Sequence, residues 1–472
     1  MDSSMTFRVS FMSKNITDIP LNGMRIGTAS AGLQIEGSPC PSNWSEWADG
    51  GNIADGTTLE PTTGHWLKWR EDNQLMAELE FPIARVGVEW SRIEPAPGQY
   101  DTAALERYAE EYRDLKAKGI EPLVTLHHFG QPLWLEHRGG WTNPEIVPAF
   151  LGFVDVVLDH LGDFIDDWIT INEPNVYASE AFLFGSQPPG KGGYLPVRKV
   201  LQNMAAAHLL AYEHIHARLD SPDREIKVTF AHHKRVFDPM NPANPIHRAL
   251  TPLVEYLFQG AMEKAFYRGK FDPVLGRPES LPRGFGNGAG SKTYYADAIA
   301  INYYSRTAVK GFNDATFPGR PTNDLGWEIY PRGIVEVSAP LAKEYGLPIW
   351  ITENGTADNT ESFRCGFVYD HLEELARLNA GMPAPDGTPQ EAVPVQRYYH
   401  WCFVDNWEWS EGMAQHFGVV ALDNELGRHP KPAAYMLRDI NRAGALTTAI
   451  DEQYREPTAK NARISTPGRG LK

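Results

Sequence analysis

The chain has 472 residues, a formal net charge of −16 and an isoelectric point near 5.4, which argues against nucleic acid or an anionic membrane as partner, because both need clustered Lys and Arg. With 42% hydrophobic residues it can bury a large core, yet it has no run of about 18 apolar residues, and its opening stretch MDSSMTFRVSFMSKN lacks the apolar centre of a signal peptide. Cys40, Cys365 and Cys402 have no CxxC spacing, so neither a disulfide framework nor a zinc cage is expected, and a reducing cytoplasm fits best.

In chain order, residues 1–20 read as a flexible N-terminal segment. The first apolar run, MRIGTAS, opens a domain expected to span 21–445. IARVGVEW, PLVTLHH, WITINEP, IKVTFAHH, AIAINYY, LPIWITENG and YYHWCFVDNWEW follow, each short, often β-branched and ending in polar or aromatic residues. Between them lie patterns of helical length such as AALERYAEEYRDLKAKG, stopped by Gly119, and VLQNMAAAHLLAYEHIHARL. Strand and helix alternating in this way imply an α/β fold with a parallel sheet. Runs this apolar are buried on both faces, so the expectation is a single (β/α)8 TIM barrel with long active-site loops at its C-terminal face.

Loop-like stretches rich in Pro and Gly at 271–292, 311–326 and 380–394 are candidates for shaping access to that face, and 446–472 reads as a polar, partly disordered tail. The glycine-rich run GFGNGAGSKT lacks the spacing of a phosphate cradle. Asn-X-Ser/Thr matches at Asn15, Asn43 and Asn354 would matter only in an exported protein. His214 with His216, and His232 with His233, form no convincing ligand set and read as helix-surface and strand-end histidines. No metal and no cofactor are called for.

Two glutamates share one setting. Glu173 ends the fourth run and Glu353 the seventh, so a closed barrel places both at its mouth, where two carboxyls can flank one bound group. Two carboxyls close together divide their roles, one ionised and the other kept protonated by that charge. Asn172 offers an amide to a substrate hydroxyl, and Pro174 stiffens the chain as it leaves the strand. An aromatic content of 11%, with 13 tryptophans, suits a site that stacks flat rings on sugars or bases.

From ASAGLQIEG to KPAAY the chain resembles glycoside hydrolase family 1, the β-glucosidase and β-galactosidase family of retaining glycosidases, with TINEP similar to its acid/base motif and ITENG to its nucleophile motif. The resemblance implies Glu173 as general acid/base, Glu353 as nucleophile, Asn172 on the sugar 2-hydroxyl, Arg85 beside the nucleophile, and Tyr304 touching it through its hydroxyl, with Asn302 on the same strand. It further implies a glycon pocket of Gln34, His128, Asn302, Trp401, Glu408 and Trp409, walled by Phe417. By strand alternation the neighbours His127 and Tyr303 face away, into packing. Relatives acting on 6-phosphorylated sugars carry Ser, Lys and Tyr where this chain has Glu408, Gln415 and Phe417, so an unphosphorylated glycon is expected, with an anionic Glu408 repelling a phosphate. Glu173 itself departs from myrosinase-type members, which have glutamine there.

The implied activity is double-displacement hydrolysis of a terminal β-D-glycoside or short oligosaccharide, β-glucosidase first and β-galactosidase or β-fucosidase beside it, with carboxyls about 5–5.5 Å apart. The alternatives are a transglycosylating enzyme and a non-catalytic carbohydrate-binding barrel. Oligomeric state and preferred sugar stay open.

Overall fold

The computed structural model describes residues 18–38, 40–286, 293–455 and 462–464. Asn15, residues 287–292 of the glycine-rich run, nearly all of 1–20 and much of 446–472 lie outside the described residues. Eight strands close into a barrel: β1 Arg25–Ala29, β2 Ile83–Gly87, β3 Glu121–His127, β4 Asp167–Asn172, β5 Lys227–His233, β6 Ile299–Asn302, β7 Ile349–Asn354 and β8 Val395–Trp401. Every neighbouring pair is parallel, and β8 returns to β1 with Trp401 opposite Ala29. These are the eight apolar runs of the sequence. The last was read too long: pairing stops at Trp401, and the chain turns through 402–408 into a short 3-10 segment, Trp409–Ala414, so Glu408 and Trp409 belong to a loop over the mouth.

Each residue of β4 and of β7 is buried, because helices cover the outside of the barrel and side chains fill its interior. The helix Thr102–Ala117 shows how the cover is made. Asp101 caps it by accepting from the Ala104 amide at 3.0 Å, and Leu105, Tyr108, Ala109, Tyr112 and Leu115 recur every three or four residues on the buried face. Gly119, at φ +79°, takes the left-handed conformation that ends it.

Short pairings reach beyond the span 21–445. Ile19–Pro20 pairs antiparallel with Ala445–Leu446, the helix Thr448–Tyr454 buries Ile450, and Arg463–Ile464 pairs with Pro321–Thr322, so ordered pairing crosses both expected boundaries. Nor do the three proposed access loops share one face. Residues 311–326 follow β6 and stand at the mouth side; 380–394 lead into the start of β8, the opposite end, and 271–286 pack outside the barrel, where Arg198 and Gln202 donate to the Leu275 carbonyl. Pro and Gly content marks a loop without saying which end of a strand it serves. Asn43 and Asn354 are buried, donating to the carbonyls of Phe129 and Tyr303, so neither is exposed as an acceptor. Among the described residues no helix is long and apolar enough to cross a membrane.

Candidate active site

Arg85, fully buried on β2, organises the barrel centre. Its Nε donates to Thr125 Oγ1 on β3 at 3.1 Å, Nη2 to Asn172 Oδ1 on β4 at 2.6 Å, and Nη1 to the Thr352 carbonyl at 3.2 Å and to Glu353 Oε1 on β7. A guanidinium has its donors in a rigid plane, so four contacts from one side chain hold three other strands in fixed relation to it. Tyr304 Oη donates to the second oxygen, Glu353 Oε2, at 2.6 Å. Both oxygens of Glu353 therefore accept from fixed donors, an arrangement that matches an ionised carboxylate. Burial pushes the carboxyl up, Arg85 pulls it down, the nearby Glu173 charge adds to the rise and Tyr304 opposes it, leaving it at about 7.

Glu173 is set differently. It follows β4 directly, at φ +42°, ψ +59°, a left-handed conformation that costs a residue with a side chain roughly 1–3 kcal/mol. Pro174 then opens the short helix Pro174–Ser179, where its missing N–H is no loss. Pairing registers shift between Ile169 and Asn172 and between Ile351 and Glu353, so both strands are irregular where they present their carboxylates, as bulges beside active sites re-aim side chains. Glu173 Oε1 accepts from Asn302 Nδ2 at 2.8 Å and from His233 Nδ1 at 2.9 Å; among the described residues no donor reaches Oε2. A carboxyl whose one oxygen accepts twice and whose other is open can hold a proton on the open one.

The proton balance of this pair turns on His233. Burial pushes Glu173 up, and an imidazolium at His233, the hydrogen bonds from His233 and Asn302, and Arg85 together draw it below its ordinary value. Arg235 Nε donates to His233 Nε2 at 3.0 Å, so the ring N–H that meets Glu173 is the one on Nδ1. With both Glu353 oxygens occupied, the open Oε2 of Glu173 is the position left for a proton.

Asn302 bridges the two halves. Its Nδ2 also donates to Asn172 Oδ1 at 3.0 Å, and its Oδ1 accepts from Thr352 Oγ1 at 2.7 Å, so one amide touches the segments carrying both glutamates. Asn172 in turn donates from Nδ2 to His128 Nε2 at 3.0 Å, keeping one amide hydrogen for a ligand. His128 is held neutral, its ring pushed well down by burial and then by Arg85 and His127.

Around this centre the residues expected to line the pocket lie together. Gln34 Nε2 donates to the Trp407 carbonyl at 2.8 Å and to Glu408 Oε2 at 3.4 Å, and Trp401 Nε1 donates to the same oxygen at 3.3 Å. Gln34 Oε1 and His128 Nδ1 are buried without a hydrogen-bond partner among the described residues, two polar atoms that a hydroxyl-rich ring would satisfy. Trp409 lies 4.9 Å from Phe129 and 5.8 Å, stacked, from His128; Trp401 lies 5.6 Å from His128 on another side. Phe417 is buried 6.3 Å from Tyr304.

Burial lifts Glu408 to about 8, against the bonds from Trp401 and Gln34 and with Glu353 adding to the rise. Near neutral pH its carboxyl is thus a donor as well as an acceptor. The case against a phosphorylated glycon therefore rests on the lack of a cation at 415 and 417 rather than on repulsion by Glu408.

His127 and Tyr303 do face away, His127 accepting from Trp141 Nε1 at 3.1 Å and Tyr303 donating to the Tyr330 carbonyl at 2.6 Å. His233 corrects the sequence reading, which left it an ordinary strand-end residue. The signal was present: HH at 232–233 repeats HH at 127–128 at a strand end, and alternation turns the second of each pair inward. Trp327, 5.7 Å from Tyr304 and 6.1 Å from Phe417, was missed because it arrives from the 311–332 loop, which has no periodicity to read.

The family model described as glycosyl hydrolase family 1 matches residues 22–278 and 285–445. Beta-glucosidase A of Thermotoga maritima is 31% identical over 425 residues, covering 87% of this chain and 94% of that protein. A beta-galactosidase of Saccharolobus solfataricus is 27% identical over 94% of this chain and 99% of its own length. Among solved structures, a beta-glycosidase from Pyrococcus horikoshii aligns with a TM-score of 0.80 at 27% identity, over 93% of this chain and 99% of that one. Beta-glucosidase from Thermotoga maritima in complex with glucoimidazole aligns at 0.79 and 27%, over 90% and 99%. On barrel, site and match together, the chain belongs to glycosyl hydrolase family 1.

Proposed function

We propose that the protein is a retaining β-glycosidase that releases a terminal, unphosphorylated β-D-glycosyl unit, with glucose as the first ring to test and galactose as the second. The relatives named beta-glucosidase and beta-galactosidase support those two rings, and the glucoimidazole held by a T. maritima neighbour supports the first. The observation that carries the mechanism is the donor asymmetry of the two carboxyls: both Glu353 oxygens are taken by Arg85 and Tyr304, while Glu173 keeps Oε2 open.

In the first step a Glu353 oxygen attacks the anomeric carbon as the glycosidic C–O bond breaks, and Glu173 hands its proton to the departing oxygen. A glycosyl ester on Glu353 results. In the second step Glu173, now a carboxylate, takes a proton from water as that water attacks the same carbon from the opposite face, and the Glu353 ester bond breaks. Two inversions give a β product. Asn172 and His128 would hold hydroxyls near the reacting carbon, Gln34 and Glu408 those further out, and Trp401, Trp409 and Phe417 the ring's apolar edges and face. A place in the cytoplasm is part of this reading, carried by three cysteines without CxxC spacing.

Proton NMR of the products in the first minutes of hydrolysis of a p-nitrophenyl β-glucoside tests the mechanism. The β-anomer must come first and mutarotate afterwards; an α-anomer first would overturn it. Added alcohol acceptors measure any share of glycosyl transfer.

A further inference from the structure

His233 is buried at the end of β5, opposite Asn302 of β6 in the strand register, and its contacts run in one direction. Arg235 Nε donates to Nε2 at 3.0 Å, and Nδ1 meets Glu173 Oε1 at 2.9 Å. Arg235 is itself anchored: its Nη1 lies 3.4 Å from Asp314 Oδ2, its guanidinium 5.2 Å from the centre of the Phe258 ring, and its backbone amide donates to Gln259 Oε1 at 3.0 Å. The Tyr304 ring stacks on the imidazole at 5.9 Å, and Phe258 meets it edge-on at 6.0 Å. The ring therefore has neither freedom to turn nor a choice of tautomer, since a guanidinium can only donate.

We propose that His233, oriented by Arg235, is a positioning residue for Glu173. Its fixed N–H, with that of Asn302, occupies Oε1, so the transferable proton is confined to Oε2, the oxygen open to the leaving group. This deepens the functional proposal and rests on Glu173 being the acid/base. Once the proton has left, the same N–H, polarised by the guanidinium behind it, steadies the new carboxylate for its work as base. Glu353, Arg85 and Glu408 also act on Glu173, from β7, β2 and the loop after β8, but none of them donates to it. His233 faces Glu173, Tyr304 and Arg235, with Asp314 beyond, while its neighbour Lys234 is paired with Glu263 at 2.8 Å.

The test is kcat/KM of the full chain on glycosides of one sugar with leaving groups from 2,4-dinitrophenol, which needs no proton, to an alkyl alcohol, which does. His233→Leu should lose about 10- to 100-fold more on the alkyl glycoside than on the dinitrophenyl one, the scale of one hydrogen bond to a charged group. It should also carry the basic limb of the pH profile to higher pH, because the carboxylate form has lost a donor. His233→Asn, which keeps an N–H near Nδ1, should restore most of the difference. Arg235→Met frees the ring to move its proton to Nε2 and should reproduce part of the loss, which decides the matter even where His233→Leu does not fold.

Equal losses on all leaving groups for both variants would make His233 merely structural and overturn the proposal. Glu173→Gln run alongside separates the two levels. If it shows the leaving-group dependence and the His233 and Arg235 variants do not, only the positioning role fails. If it shows none, the acid/base assignment fails with it.

Discussion

The two glutamates end equivalent strands of the same barrel, yet their surroundings are opposite. Glu353 lies within β7, without a left-handed backbone, where a guanidinium and a phenol fill both oxygens; Glu173 stands on a strained, left-handed residue with two donors on one oxygen and, among the described residues, none on the other. One setting suits a charge held in place and the other a proton that can be given away, which is the division of roles proposed for the pair. The chemistry of the pair comes from this difference and not from the carboxyls themselves, which are identical.

The largest expected effect comes from removing the fixed charge. Glu353→Ala should lower kcat by on the order of 10⁴-fold or more, and azide should restore turnover with an α-glycosyl azide as product. A variant that keeps appreciable activity without azide would dissolve the contrast. Next, Glu173→Gln should cost about 10²- to 10⁴-fold where the leaving group needs a proton, and far less on dinitrophenyl glycosides. Loss independent of the leaving group would leave Glu173 no special claim to the proton.

Tyr304→Phe should be smaller, about 10- to 100-fold, and tilted by pH. The hydroxyl stabilises ionised Glu353, so without it the acid limb of kcat/KM moves to higher pH and the loss is greater on the acid side of the profile than on its plateau. A uniform loss would place Tyr304 outside the charge balance. The smallest effect concerns the backbone. At 173 glycine should be more stable than alanine by roughly 1 kcal/mol, because only glycine takes a left-handed residue without strain, whereas at 353 alanine should be the more stable by about 0.5–1 kcal/mol. Denaturant midpoints of the four variants measure this, and the same sign at both positions would contradict the difference in backbone.

How far the sequence reveals this contrast can be followed residue by residue. The barrel was legible because eight buried strands need eight apolar runs, and the two glutamates were legible because each closes such a run. Arg85, Asn172 and Asn302 could be placed because family motifs set them on strands, where alternation fixes direction, and Tyr304 because it lies two residues beyond the end of β6. Trp327 was not, since loops have no period. The pairing of Ile19 with Leu446 was hidden, a contact between distant short segments that neither segment announces. The left-handed turn at Glu173 was also hidden: nothing in TINEP distinguishes a strained residue from a relaxed one.

The amide of Asn302 carries a consequence for how such a molecule diversifies. By joining Thr352 to Asn172 and Glu173 inside the barrel, it ties the interval between the two carboxyls to the strands that carry them. Loops can then be lengthened, exchanged or rewritten while the cutting edge stays in adjustment. The rim becomes an interchangeable fitting on a fixed tool, and a new substrate can be met by recruitment of loop sequence without retuning the bond-breaking pair.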